Sequence, residues 1–134
     1  MIEAKEFTEL LGIEVVKAAD GEVVLDLVLS PLHMSRAARV HGGVLFTLLD
    51  TALGRAVLTA LPEGRGCATV ECKINYFRPI QSGSLRTVGR LINLTRRTGY
   101  SEGEVRNGEG KLIARASGTF MLTDTLEQAE RERI

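Results

Sequence analysis

The sequence predicts an α+β fold in which one antiparallel sheet wraps around one central helix. Three observations carry that prediction. From Gly42 to Ala60 (GGVLFTLLDTALGRAVLTA), the apolar residues Leu45, Leu48, Leu49, Ala52, Ala56 and Val57 fall at helical spacing. That helix is interrupted only by Thr47, Asp50, Thr51, Gly54 and Arg55, so most of its surface must be covered. At least four strand-like segments follow it and a hairpin precedes it.

In chain order, Lys5 to Leu11 is short and helix-permissive, with Gly12 as its C-terminal stop. The runs IEVVKA and EVVLDLVL flank Ala19-Asp20-Gly21, and Asp-Gly between two β-branched runs reads as a hairpin. Ser30 to Val40 is irregular, with Pro31 at its start, and reads as a loop in which His33 is an ordinary loop residue. Pro62 and Gly64 end the long helix. Ala68 to Tyr76 then alternates Ala68, Val70, Cys72, Ile74 and Tyr76 with Thr69, Glu71, Lys73 and Asn75, the pattern of a half-buried strand. Leu85–Leu94, Tyr100–Arg106 and Lys111–Leu122 complete the strands, with a turn at Asn107-Gly108-Glu109-Gly110. On the last strand Leu112, Ala114, Ala116, Gly118 and Phe120 share a face whose small residues let a helix lie close. The charged tail from Thr123 to Ile134 reads as a surface helix or a frayed end. One helix covers only part of such a sheet, and the leftover apolar surface points to an oligomer.

Composition narrows the function. The chain has 134 residues and is 44% apolar, which fits one domain over residues 1–134 with a real core. Seventeen basic residues balance seventeen acidic ones. That argues against a broad basic surface for nucleic acid or an anionic membrane. Cys67 and Cys72 are too few for a disulfide framework, and no metal-ligand spacing joins them to His33 or His41. They read as ordinary buried or half-buried thiols, and no metal or other cofactor is expected. The N-terminus lacks a long apolar run, and no uninterrupted apolar stretch is long enough to span a bilayer, so a cytoplasmic setting is expected.

The chemistry-bearing residues begin with Val40-His41-Gly42-Gly43, where the loop meets the long helix. Two glycines leave the first helical N–H groups bare, and the helix dipole gives those groups partial positive charge. Such a site suits a phosphate or the oxyanion of acyl transfer. The same glycines also serve a flexible helix start. Asp50, in the middle of the apolar helix, must be solvated, paired or functional. Gly42 and Asp50 are about 12 Å apart along the axis, too far for both to act on one carbonyl. Two antiparallel copies related by a two-fold axis could bring them together, so a site using both would be shared between subunits. The turn Thr95-Arg96-Arg97-Thr98-Gly99 and Arg78 could each grip phosphate or simply be solvated charges. No GxSxG, GxGxxG or P-loop is present.

These residues resemble the hotdog-fold acyl-CoA thioesterases of the PaaI-like branch. The carrying stretch is His41-Gly42-Gly43 with Asp50 nine residues after the His. It is joined by Asn75-Tyr76-Phe77-Arg78-Pro79 with Gly83 following, and by the basic turn Asn93-Leu94-Thr95-Arg96-Arg97-Thr98. The resemblance covers about Leu10 to Leu122. It implies a hotdog fold, a homodimer with shared active sites that is often a dimer of dimers, and hydrolysis of an acyl-CoA to free CoA and a carboxylic acid. CoA is then part of the substrate. The Gly42 N–H would polarise the thioester carbonyl. Asp50 of the other subunit would act as general base or as nucleophile, His41 would orient the loop or contact the thioester, and Thr69 would help to hold the water. Ser35, Gly43, Arg78, Pro79, Arg96, Arg97 and Thr98 would lie on the substrate-binding side.

One position departs from the pattern. Where the branch commonly has an Asn six residues before the His, this chain has Ser35, which offers a shorter hydroxyl in place of an amide. Arg36 and Arg39 beside it are candidates for a charged substrate or a solvated loop. Aromatic and medium-chain acyl groups both fit the sequence. Two other readings stand beside the thioesterase: a non-catalytic acyl-CoA binding module, which Ser35 favours and Asp50 opposes, and a hotdog hydratase or dehydratase, for which no second suitable His follows on the helix.

Overall fold

The computed structural model describes residues 6–125. Helix α1 (Phe7–Leu11) is followed by strands β1 (Glu14–Ala19) and β2 (Glu22–Val28), a 3-10 turn (Pro31–His33), and the long helix α2 (Gly42–Leu58). Strands β3 (Arg65–Tyr76), β4 (Ser84–Leu94), β5 (Thr98–Asn107) and β6 (Leu112–Thr125) complete the chain. All six strands form one antiparallel sheet in the order β1-β2-β4-β5-β6-β3. The predicted α+β class and the sheet around a central helix are both present.

The turn chemistry explains the connections. Asp20 and Gly21 both take positive φ (52° and 78°), as the tight β1–β2 hairpin requires. Gly12 ends α1 in the left-handed conformation, its N–H on the Glu9 carbonyl and that of Ile13 on Thr8. The Asn107 side chain accepts from the N–H groups of Glu109 and Lys111 and so builds the β5–β6 turn.

The core lies between α2 and the sheet. Leu48, Leu49, Ala52, Leu53, Ala56 and Val57 of the helix are fully buried against Val23 and Leu25 of β2, Val105 of β5 and Ile113 and Ala114 of β6. The close approach is set by glycine. A Cβ at Gly89 would stand 2.7 Å from the carbonyl oxygen of Ala52, and one at Gly103 2.7 Å from Leu53 Cδ1. The small residues expected on the last strand are there, but the tightest contacts fall on β4 and β5, whose glycines periodicity does not single out.

Four expectations need correction. The loop from Ser30 to Val40 contains the 3-10 turn and a Met34–Val40 bridge, and His33 within it is buried. Its Nδ1 accepts from the Ser30 N–H at 3.0 Å, so its Nε2 donates to the Leu11 carbonyl at 2.7 Å. His33 is therefore a strut that ties the loop to α1. The long helix stops at Leu58, where Thr59 caps it by donating to Ala56 and accepting from the Gly21 N–H. Strand β6 runs on to Thr125, so the first residues of the expected tail belong to the sheet; the rest of the tail lies outside the described residues.

The fourth correction concerns β3. Its alternation is not continuous, because its pairing with β6 slips between Thr69 and Glu71, leaving Val70 as an extra, bulged residue. Before the bulge, Cys67 and Thr69 face the helix; after it, Cys72, Ile74 and Tyr76 do. A strict two-residue period would have put Thr69 on the opposite face from Cys72.

Candidate active site

The predicted residues gather at two places along α2. The first is the N-terminal end. His41 is the helix cap: its Nδ1 accepts from the Gly43 N–H at 2.8 Å. Because Nδ1 accepts, the neutral ring carries its proton on Nε2. The Gly43 N–H is thereby used, whereas that of Gly42 has no acceptor among the described residues. The Gly42 carbonyl accepts from the Tyr76 hydroxyl at 2.9 Å, and the Tyr76 ring lies 3.3 Å from where a Cβ at position 42 would stand. Burial, and after it the neighbouring Cys72, push the Tyr76 phenol above its usual range, so it stays protonated and able to donate. Gly42 opens into a cleft of about 320 Å³ lined by Arg39, Tyr76, Phe77, Arg78 and Pro79.

The second place is the middle of the helix. Asp50 is half-buried and accepts from Thr69 Oγ1 at 2.8 Å through Oδ1. Among the described residues, none donates a hydrogen bond to Oδ2. The bulge at Val70 turns Thr69 toward this carboxylate. Burial, and after it the charges of Asp50 and Glu71, push the Cys72 thiol up to about 11, and Cys67 is raised by burial and Asp50. Both thiols are protonated and weakly nucleophilic near neutrality.

The remaining residues, Ser35 apart, divide between these two places. Arg78 and Pro79 accompany Gly42. Arg96, Arg97 and Thr98 form the β4–β5 turn, which Thr95 Oγ1 holds by accepting from the N–H groups of Arg97 and Thr98. The Arg97 carbonyl accepts from Leu122, which pairs with Cys67, so this turn lies toward the Asp50 end. Neither arginine forms an ion pair among the described residues. Ser35 lies in an adjoining cleft of about 500 Å³ with Pro31, Met34, Arg36 and Gln81, and its hydroxyl accepts from the Ala37 N–H at 3.3 Å. Sequence reasoning missed Tyr76 as a site residue, although its place at the end of a strand before Arg78-Pro79 was a usable signal. No cluster of three or more His, Cys, Asp or Glu able to hold a metal occurs among the described residues. No helix there is long and apolar enough to cross a membrane.

The thioesterase superfamily model matches residues 38–114, more than half of the chain and the stretch that holds both places. The chain belongs to the thioesterase superfamily. Its fold is the hotdog fold, and its relatives are PaaI-like. The phenylacetic acid degradation protein PaaI from Thermus thermophilus, solved as a single-site mutant, is 34% identical with a TM-score of 0.78, over 85% of this chain and 96% of that one. The acyl-coenzyme A thioesterase PaaI of Escherichia coli is 26% identical over 115 residues, 85% of this chain and 80% of its own length. A hypothetical thioesterase protein from Streptococcus pneumoniae, solved with coenzyme A, is 27% identical with a TM-score of 0.78, over 84% of this chain and 90% of that one. As a member of the superfamily, this thioesterase is a thioester hydrolase.

Proposed function

We propose that this thioesterase hydrolyses acyl-CoA thioesters in active centres shared between two subunits, with Gly42 from one and Asp50 from the other. One observation carries the reading. Two groups suited to the chemistry, the Gly42 N–H and Asp50 Oδ2, are left without partners among the described residues, about 12 Å apart along one helix. The edge strand β3 passes both, with Thr69 on Asp50 and Tyr76 on Gly42. Its outer edge is unpaired among the described strands. Antiparallel pairing of β3 with its copy, about a two-fold axis near Cys72 and Lys73, sets one subunit's Thr69 opposite the other's Tyr76. That operation carries Asp50 to Gly42 of the second subunit. It also brings the Arg96–Arg97 turn toward Arg78 and Pro79, giving one basic margin for the CoA phosphates.

In such a centre the thioester oxygen sits against the Gly42 N–H at the positive end of α2. Thr69 fixes Oδ1 of Asp50, leaving Oδ2 to take a proton from water. The water oxygen attacks the carbonyl carbon, and the carbonyl electron pair moves to the oxygen held by Gly42. Collapse breaks the carbon–sulfur bond; CoA leaves as a thiolate, takes up the proton from Asp50, and the carboxylic acid departs. His41 holds the first turn by its cap and presents its Nε2 proton outward.

The decisive measurement is thiol release from a panel of aromatic, short, medium and long acyl-CoA esters, with Asp50→Ala in parallel. Turnover by the wild type and a loss of at least about 10²-fold in Asp50→Ala is expected. An inactive wild type that binds CoA esters would leave a binding module instead. Sharing is tested by co-expressing Asp50→Ala with Gly42→Pro, which lacks the N–H yet suits the first helical position. Each is inactive alone; with random pairing about half of the dimers are hybrids, each with one of its two centres intact, so about a quarter of wild-type activity returns. No recovery would place both groups in one subunit's centre.

A further inference from the structure

An oxyanion donor works only if it is aimed before the charge develops. Glycine is the residue least able to aim its own N–H, because no Cβ restricts its dihedrals. Three hydrogen bonds remove that freedom at Gly42. On the peptide before it, the His41 carbonyl accepts from Val44 at 2.9 Å. On the peptide after it both ends are held: the Gly43 N–H donates to His41 Nδ1 at 2.8 Å, and the Gly42 carbonyl accepts from the Tyr76 hydroxyl at 2.9 Å. The first two bonds belong to the helix start itself. Tyr76 is 34 residues away on β3, and its ring lies against the bare Cα of Gly42.

We infer that Tyr76 is a positioning residue for thioester hydrolysis, its phenol locking the Gly42–Gly43 peptide so that the Gly42 N–H faces the reacting carbonyl. This assignment rests on the role of Gly42 proposed above. The phenol proton is committed to the Gly42 carbonyl, so Tyr76 neither gives nor takes a proton in the reaction. A Cβ at position 42 would stand 3.3 Å from Tyr76 Cζ and Oη, so a side chain there would press on the group that aims the N–H. The edge strand thus has two duties, one in each half: Thr69 fixes the carboxylate, and Tyr76 fixes the oxyanion donor.

The test is Tyr76→Phe in the intact protein, which keeps the ring and removes the hydroxyl. Losing an oxyanion donor outright costs about 10²–10³-fold in kcat, and a donor left in place but poorly aimed is expected to cost roughly tenfold. KM should stay within about twofold, since uniform binding is untouched. The shape of the pH–rate profile should not change. In protein labelled with 15N-glycine, the Gly42 and Gly43 amide resonances should shift relative to wild type, a readout independent of turnover. A wild type inactive on every ester would defeat the hydrolase reading itself. An active wild type matched in kcat by Tyr76→Phe would overturn the Tyr76 assignment alone, as would unmoved glycine resonances. A changed pH profile would make Tyr76 an acid–base group, and a raised KM at constant kcat would make it a substrate contact; either result overturns the positioning role.

Discussion

Ala38 takes a φ of 55°, a left-handed conformation that costs an L-residue with a Cβ roughly 1–2 kcal/mol. It closes the tip of the loop before His41, its N–H on the Ser35 carbonyl and the Ser35 N–H on the Arg39 carbonyl. Ala38→Gly should relieve that strain, and after the extra backbone entropy of glycine a net gain of roughly 0.5–1 kcal/mol remains. Thermal unfolding should record it as a rise in Tm, while an unchanged or lower Tm would show that the loop carries no such strain. Single residues were unevenly legible in the sequence. Asp50 stood out because a carboxylate amid apolar neighbours demands an explanation, and His41-Gly42-Gly43 because bare N–H groups at a helix start have a known use. His33 did not, since nothing in PLHMS marks an imidazole whose partner is a carbonyl 22 residues earlier. Tyr76 hid in plain alternation, because the acceptor of its hydroxyl belongs to another element.

At the scale of elements, α2 and the sheet meet where glycines remove the side chains. A methyl group added at Gly89 would meet the Ala52 carbonyl oxygen at 2.7 Å, and backbone cannot step aside as a flexible side chain can. Gly89→Ala is expected to destabilise the protein by about 1–3 kcal/mol. Chemical denaturation should show a lower midpoint. Gly110→Ala is the comparison that separates packing from conformation: no atom lies near its Cβ, but its φ of 81° keeps the backbone penalty alone. Helices and strands were readable because each carries its own period, and the Asp20-Gly21 and Asn107–Gly110 turns because their residues fit few other conformations. Strand order and the glycine contacts were not readable, since both depend on which distant segment comes to lie alongside. The slip in β3 was invisible for the same reason: ATVECKINY alternates without a break, and only pairing with β6 exposes Val70 as surplus.

Across the whole molecule, charge is organised by position as well as by number. The outward side of the sheet carries cross-strand pairs: Asp26 with Arg86 through two bonds of 2.8 Å, and Glu22 between Lys17 and Arg90. The hydrogen bond from Arg86 holds the Asp26 carboxyl below its usual range, and Lys17 does the same for Glu22. A carboxylate whose folded value is depressed contributes stability that is present above its unfolded value, about 3.9 for Asp, and disappears as pH falls through the folded value. Wild type and Asp26→Asn should therefore differ in Tm at neutral pH and converge only as pH falls from about 4 through the depressed folded value of Asp26, with the neutral-pH gap shrinking in high salt. A gap that persisted in strong acid would assign it to packing. The extra residue at Val70 bears on the molecule in another way. It works as a missed beat in a two-beat rhythm. Deleting it would remove a side chain that is 56% exposed, yet would reverse the inside and outside of everything before it on the strand. Thr69 would turn to the outside and Ala68 to the helix. Judged by what its own side chain touches, Val70 would rate among the most dispensable residues; counted by parity, it is the residue on which the Thr69–Asp50 hydrogen bond turns.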